Sequence, residues 1–478
     1  MAGRRTTEPG RPKLAIIGLD CAEPSLVFEK WWDDLPVLRS LAETGVWGRL
    51  TTTVPPITCP AWTAMASGRD PGELGIYGFR NRRSGCYADV GIALSNAVTV
   101  PLLWDRLGAA GFDSLVLGVP QTYPPRPLRG ALVTCFLTPG VDVAFTYPAK
   151  LKTEVLQVVP DYQFDVPEFR TEDKARLLSD LRHITAGHFR LVRHFARTRA
   201  WDFLMMVEIG VDRVHHGFWQ YMDPAHALHE PGSPYASAIF DYYRLIDREL
   251  GRLLRLLPKG ALVMVVSDHG AQAMEGGFAI NEWLRAEGYL RLREVPRPPA
   301  PVDKAAVDWT KTTAWGYGGY YGRLCLNLKG REPEGIVEPA DAGRVLDEIA
   351  SKLEAICLPD GRPMGNRTFR PRQIYREVRN LPPDLMIYFG DLRWRSQGTV
   401  GGGQIFTLAN DTGPDGANHA QEGLYILTSL DKARAVSRAG PARPGPTRGY
   451  LDIAPTVLRH FDLAIPAELR GHPIHERQ

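Results

Sequence analysis

An apolar run of seven residues, KLAIIGL at 13–19, stops at Asp20. Its length, its aliphatic and β-branched content and its lack of polar alternation describe a strand buried on both faces, the kind found in parallel sheets covered by helices. A helical pattern at 24–43 follows, and Gly45 ends it as a glycine C-cap would, so the segment reads as a βα unit. Apolar runs at 114–119, 131–136, 203–209 and 261–267 continue the alternation with helical stretches at 173–198 and 237–257. The chain returns to it near its end, with a strand at 423–429 and a helix at 452–461. An α/β fold with a mostly parallel, doubly wound sheet is the expectation. Ligands of such sheets gather beyond the carboxyl ends of the strands, and Asp20, Asp212 and Asp268 all follow strand candidates.

The 478 residues are more than one such sheet needs. Between 295 and 403 the composition shifts toward Pro, Gly, Arg and Trp around one clear helix at 341–356, which marks an inserted cap. The expected division is therefore a core beginning at 13–294, a cap at 295–403, and a completion of the core at 404–478. A Pro-rich crossing at 120–127 and a surface loop at 435–448 are further expectations. With 57 basic and 54 acidic side chains the net charge is only +3, which does not point to a nucleic-acid polymer as partner. No apolar run approaches the roughly 20 residues that span a bilayer. Arg4 and Arg5 are followed by polar residues rather than an apolar signal segment, so a cytoplasmic location is expected. The six cysteines form no C-x-x-C pair and read as reduced thiols, mostly in the core.

Four short segments carry chemistry. VVSDHG at 265–270 sets Asp268 and His269 at a strand end, where Gly270 permits a sharp turn that lets both reach one ion; a capping aspartate beside a solvated histidine is the plainer alternative. EIGVDRVHH at 208–216 spaces Asp212 and His216 four apart, on one face if the segment is helical, with His215 pointing elsewhere; Asp212 as a helix cap with His216 packed in the core is the plainer alternative. In the run at 53–76 beginning TVPPITCPAW, Pro60 suits a first helical turn, and Thr58 then stands where free amides and the helix dipole favour an anion; alone, that hydroxyl reads as a helix cap. His419 lies in NDTGPDGANHAQEG.

The order of these elements, with PPITCPAWTAMASG, GVPQTYPPRP, FTYP at 145–148, DRVHHGFWQYMDP, SDHG, NLKGREPEGIV at 327–337, NDTGPDGANHA and DIAPTVL at 452–458, resembles the alkaline phosphatase superfamily. The resemblance is to its type I phosphodiesterase/nucleotide pyrophosphatase branch, and within it to a bacterial and archaeal group of predicted phosphohydrolases or phosphomutases. It implies an alkaline phosphatase-like core and two divalent metal ions. Asp20, Thr58, Asp268 and His269 would hold one, and Asp212, His216 and His419 the other. Mixed carboxylate and imidazole donors suit Zn²⁺ and admit Mn²⁺ and Fe²⁺. The implied activity is hydrolysis of a small-molecule phosphate ester through a phospho-Thr58 intermediate, two cations serving the attacking and leaving oxygens. Capture of the same intermediate by an alcohol would make a phosphotransferase or mutase instead.

Two departures bear on substrate. The branch has an Asn 21 residues after its nucleophile to hold a phosphoryl oxygen, and that count lands on Phe79; either Asn81, or a guanidinium from Arg80, Arg82 or Arg83, substitutes for it, or the arginine cluster is a solvated turn. The C-x-P-x-R motif of sulfatases is absent, Cys59 being followed directly by Pro60, and Cys59 and Cys21 read as buried thiols. The aromatic stretch WGYGGYY at 315–321 either packs the cap or stacks a flat group over the site.

Overall fold

The computed structural model of the chain describes residues 10–435 and 444–475. Arg4, Arg5 and most of the loop expected at 435–448 lie outside them. The core is a nine-stranded sheet built from β1 (Leu14–Leu19), β2 (Val46–Thr51), β3 (Ser114–Leu117), β4 (Gly130–Val133), β5 (Thr146–Tyr147), β6 (Phe203–Glu208), β7 (Leu262–Val266), β8 (Glu422–Ser429) and β9 (Arg448–Gly449). Their spatial order is β9-β2-β8-β7-β1-β6-β3-β4-β5. β1 pairs in parallel with both β6 and β7, whereas β8 runs antiparallel between β2 and β7.

All six residues of β1 are buried, and alternate ones serve opposite faces. Ala15, Ile17 and Leu19 pack with α1 (Pro36–Thr44), α3 (Lys174–Thr198), α4 (Gly210–Met222) and α5 (Ala238–Leu254). Leu14 and Ile16 pack with α2 (Thr58–Ser67) and α6 (Ile453–His460) on the other side. A period-two strand with apolar residues at every position needs both covers, and the sheet is doubly wound for that reason.

The helix expected at 24–43 is broken. A π-helical turn at Leu26–Lys30 and a 3₁₀ turn at Trp32–Asp34 precede α1, because Pro36 has no N–H to continue a helix and instead opens a new one. The Asp247 carboxylate of α5 accepts from the amides of Val37 and Leu38 at 3.1 and 2.8 Å, capping that new start. Gly45 ends α1 in extended backbone, φ −122°, not as a left-handed cap. A Cβ there would lie 2.2 Å from the Leu427 carbonyl, so close packing on β8 is what requires glycine.

The insertion has its own apolar core, with a four-stranded sheet that includes Ala314–Tyr317, Gly322–Leu326 and Leu385–Tyr388, and a helix at Ala342–Glu354. That core reaches back past the expected start at 295, to Phe278, Ile280, Trp283 and Leu284. The cause is pairing: strand Gly276–Ala279 lies between Trp394–Gln397 and Phe406–Thr407. Among the described residues all six cysteines are free, four of them buried, and no helix is long and apolar enough to cross a membrane.

Candidate active site

Three neighbouring strands deliver three carboxylates to one end of the sheet. Asp20 directly follows β1, Asp268 lies just past β7, and Asp212 sits in the first turn of α4 after β6. Cys21, in left-handed backbone at φ 65°, turns the chain beyond Asp20 and donates its amide to Asp268 Oδ1 at 3.1 Å. The chain bends at Asp268, and Asp268 and His269 both reach one cluster as expected, but Gly270 itself is not in left-handed backbone. It opens a strand, Gly270–Ala273, where a Cβ would meet the Glu422 carbonyl at 2.3 Å and Glu23 Oε2 at 2.4 Å. That strand pairs antiparallel with Ala417–Ala420, with His419 opposite Ala271, and so carries His419 to His269. The two imidazoles stack with centroids 3.8 Å apart.

Thr58 is the first residue of α2, a helix buried at all ten positions, so its hydroxyl stands at the positive end of the dipole. Its Oγ1 lies 3.4 Å from His269 Nε2. Trp62, one turn along, donates its indole N–H to Asp20 Oδ2 at 2.7 Å. The ligand atoms of Asp20, Asp268 and His269 lie within 4.8 Å of one another, and so do those of Asp212, His269 and His419. His216 Nε2 is 3.2 Å from Asp212 Oδ1. The seven residues expected to bind metal are thus gathered in one buried cluster, with His269 central to it. His215 turns away and meets the Tyr243 hydroxyl at 3.2 Å.

The donors of this cluster fit divalent cations. Asp20 Oδ1, Asp268 Oδ2 and His419 Nε2 are buried without a hydrogen-bond partner among the described residues, a costly state for such atoms unless an ion meets them. Each imidazole spends Nδ1 on an acceptor: His269 donates to the Gly270 carbonyl (3.0 Å), His419 to that of Pro56 (2.6 Å), and His216 to Asp415 Oδ1 (2.8 Å). With Nδ1 so occupied, each ring turns Nε2 inward, the nitrogen a metal would take as ligand on displacing any proton there. Burial raises Asp20 well above the usual carboxylate range, and the charges of Asp268 and Asp212 add to it. Burial likewise lowers His269 to about 4. For His216 burial acts downward, but Asp415 and Asp212 on either side outweigh it and push the imidazole up to about 9.

A cavity of about 360 Å³ opens on Thr58, Asp212 and His419. Phe79 and Arg80 line it; Phe79 packs its edge on Phe136, and Arg80 is exposed. Asn81 is not at the wall: its Oδ1 accepts from the Tyr77 amide at 2.7 Å and its Nδ2 donates to the Gly78 carbonyl, both within its own turn. Arg82 is buried against Glu332 and Arg83 pairs with Asp89, so neither replaces the expected Asn. In the aromatic stretch, Trp315 belongs to the insertion core, while Tyr320 stacks on His419 (4.1 Å) and His216 (4.7 Å).

Residues not anticipated complete the walls. Arg213 donates to Asp212 Oδ2 at 2.5 Å and to both oxygens of Asp165. Arg170, Arg323 and Arg395 come from distant segments. Asp415, four residues before His419 in the NDTGPDGANHA motif, had the one signal a sequence offers for a partner of a metal-binding histidine: a carboxylate close to another ligand.

Residues 14–416 match the sequence profile of the family described as Type I phosphodiesterase / nucleotide pyrophosphatase, a stretch that ends just before His419. No curated protein matches the chain. Among solved structures, phosphonoacetate hydrolase from Sinorhizobium meliloti 1021 in complex with phosphonoformate is similar at TM-score 0.59 and 16% identity, over 94% of this chain and 96% of that one. Human ectonucleotide pyrophosphatase / phosphodiesterase 5 is similar at TM-score 0.51 and 13% identity, over 95% and 96%. The murine form is similar at TM-score 0.50 and 13% identity, with the same coverage.

Proposed function

Given that the chain belongs to the type I phosphodiesterase/nucleotide pyrophosphatase family of the alkaline phosphatase superfamily, we propose that it is a metal-dependent phosphoester hydrolase with Thr58 as nucleophile. One observation carries the reading: the Thr58 hydroxyl, at the start of a buried helix, faces a cluster of three buried carboxylates and three inward-turned imidazoles at the floor of an open cavity. Asp20, Thr58, Asp268 and His269 would hold one divalent cation and Asp212, His216 and His419 a second, Zn²⁺ being the best match to these donors. When bound, the cations supply Lewis acidity that lowers the Thr58 hydroxyl pKa and offsets charge on the attacking and leaving oxygens.

Thr58 Oγ1 attacks phosphorus, the Oγ1–P bond forms as the ester P–O bond breaks, and the hydroxyl proton is balanced by the one gained on the departing alcohol. Water then cleaves the Oγ1–P bond and restores the hydroxyl. Trp62 and the Cys21 amide keep Asp20 and Asp268 aimed inward, and the α2 dipole favours the anionic phosphoryl beside Thr58. Arg213, clamped by Asp165 and Asp212, stands at the wall as a cationic donor for phosphoryl oxygens.

The test is to strip the protein of metal, restore Zn²⁺ or Mn²⁺, and follow hydrolysis of an aryl phosphate monoester and diester by wild type and Thr58→Ala. Metal-dependent turnover is expected in wild type, with a loss of about 10³-fold or more in the variant. Equal rates in the two proteins would sink the nucleophile assignment.

A further inference from the structure

The cavity beside Thr58 holds more positive charge than a single phosphoryl group requires. Five guanidinium groups line it, those of Arg80, Arg170, Arg213, Arg323 and Arg395. Arg213 is matched by Asp165 and Asp212. Arg170 and Arg395 share one carboxylate, Asp415, at 3.0 and 3.5 Å. Among the described residues Arg323 donates to the carbonyl oxygens of Arg80 and Gly318 and lies over the Tyr317 ring, and neither it nor the Arg80 side chain has an ion-pair partner.

Arg395 is the telling member. It is 5% exposed, and its Nε is buried with no hydrogen-bond partner among the described residues. Its contact with Asp415, at 3.5 Å, is at the limit of a hydrogen bond. A buried guanidinium this poorly satisfied is costly unless something else supplies an acceptor. It reaches the cluster through other side chains and is not among the candidate ligands. Thr58 touches His269, His269 stacks on His419, His419 stacks on Tyr320, and the Arg395 guanidinium lies 4.8 Å from the Tyr320 ring centre. Arg395 thus meets the cluster through the Tyr320 ring and through Asp415, which binds His216.

We infer that Arg395, assisted by Arg170, binds a second acidic group, a carboxylate or a phosphate, carried by the same molecule whose phosphoester faces Thr58. This rests on the phosphoester reading and narrows it to substrates with two separated anionic groups. The planar fork of arginine suits both kinds of acid. The rings of Phe79, Phe136, Phe169 and Tyr320 on the same walls suit an apolar or flat connecting portion.

Equilibrium binding of three stable aryl phosphonates to the metal-loaded full chain tests this: phenylphosphonate, 4-carboxyphenylphosphonate and benzene-1,4-diphosphonate, followed by calorimetry. The second acid is expected to tighten binding by about tenfold or more over phenylphosphonate in wild type. Whichever of the two acids gains more identifies the source of the charge. In Arg395→Gln the ratio should fall toward one, and Arg395→Lys, which keeps the charge without the fork, should recover part of it. A melting curve on each variant, and the ratio taken within each protein, separate this from loss of fold. Equal binding of all three compounds by wild type, or an undiminished ratio in Arg395→Gln, overturns the inference while leaving the phosphoester reading intact. Failure of all three to bind overturns both.

Discussion

Asp415 Oδ1 accepts from His216 Nδ1 at 2.8 Å, while its other oxygen faces Arg170, Arg395 and the Tyr320 hydroxyl. One buried carboxylate thus orients a candidate metal ligand and anchors two arginines of the cavity wall. The clustered positive partners, and His216 above all, outweigh its burial and hold Asp415 well below the usual carboxylate range. Outer partners of metal-binding histidines are worth about 10–100-fold in metal affinity. Asp415→Asn is therefore expected to weaken Zn²⁺ binding by about that much, read by competition with a chromophoric chelator. An affinity within twofold of wild type would refute the orienting role.

Trp62 offers a second, independent handle on the same centre. Its indole donates to Asp20 Oδ2 at 2.7 Å, and Asp20 is fully buried. Trp62→Phe removes that donor, leaving a buried carboxylate oxygen unpaired, and trims a fully buried ring system. The metal-free protein should lose about 1.5–3 kcal/mol of stability, measured by urea titration. A change of only a few tenths of a kcal/mol would mean that Asp20 finds another partner.

Removing the metal should act through Asp20 and Asp268. Burial, and then the charges of neighbouring carboxylates, raise both well above the usual range. A carboxyl raised in this way favours the folded state fully below the unfolded value of about 3.9, and that contribution is lost as pH climbs through the folded value. Metal-free protein is thus expected to melt at progressively lower temperature as pH rises above about 4, with Zn²⁺ restoring more at the higher pH. Scanning calorimetry with and without chelator checks this; a melting gap that does not change with pH contradicts it.

Gly270→Ala is expected to destabilise the fold through packing alone. The added Cβ would meet the Glu422 carbonyl at 2.3 Å and Glu23 Oε2 at 2.4 Å. Because one of these is backbone in β8, the sheet must shift, at a cost of about 1–3 kcal/mol. The denaturation midpoint should fall accordingly, and a neutral substitution would show that the strand yields freely.

What the sequence made readable was local. Asp20, Asp212 and Asp268 follow apolar runs, and their place at strand ends is a matter of a few neighbouring residues. The four-residue spacing of Asp212 and His216 is equally local, and both lie on α4. Counting 21 residues on from Thr58 reached Phe79, which does line the cavity, but no spacing rule shows that Asn81 spends its amide inside its own turn. Arg170, Tyr320 and Arg395 meet at Asp415 from segments up to 245 residues from it along the chain. Their convergence is tertiary, and no window on the sequence contains it. The break before α1 was marked by Pro36, yet the apolar periodicity across 24–43 hid it, since both halves bury residues against the same face of the sheet.

The antiparallel insertion of β8 between β2 and β7 has a consequence for biosynthesis. Among the described residues β2 joins the sheet only through β8 and β9, both of which are synthesised hundreds of residues later. Until β8 leaves the ribosome, the edge of β7 is open and β2 has no strand to pair with. His419 is made immediately before β8. Closure of the sheet and completion of the buried carboxylate–imidazole cluster are thus one late event, and a nascent chain cannot acquire a finished cluster before its sheet is whole.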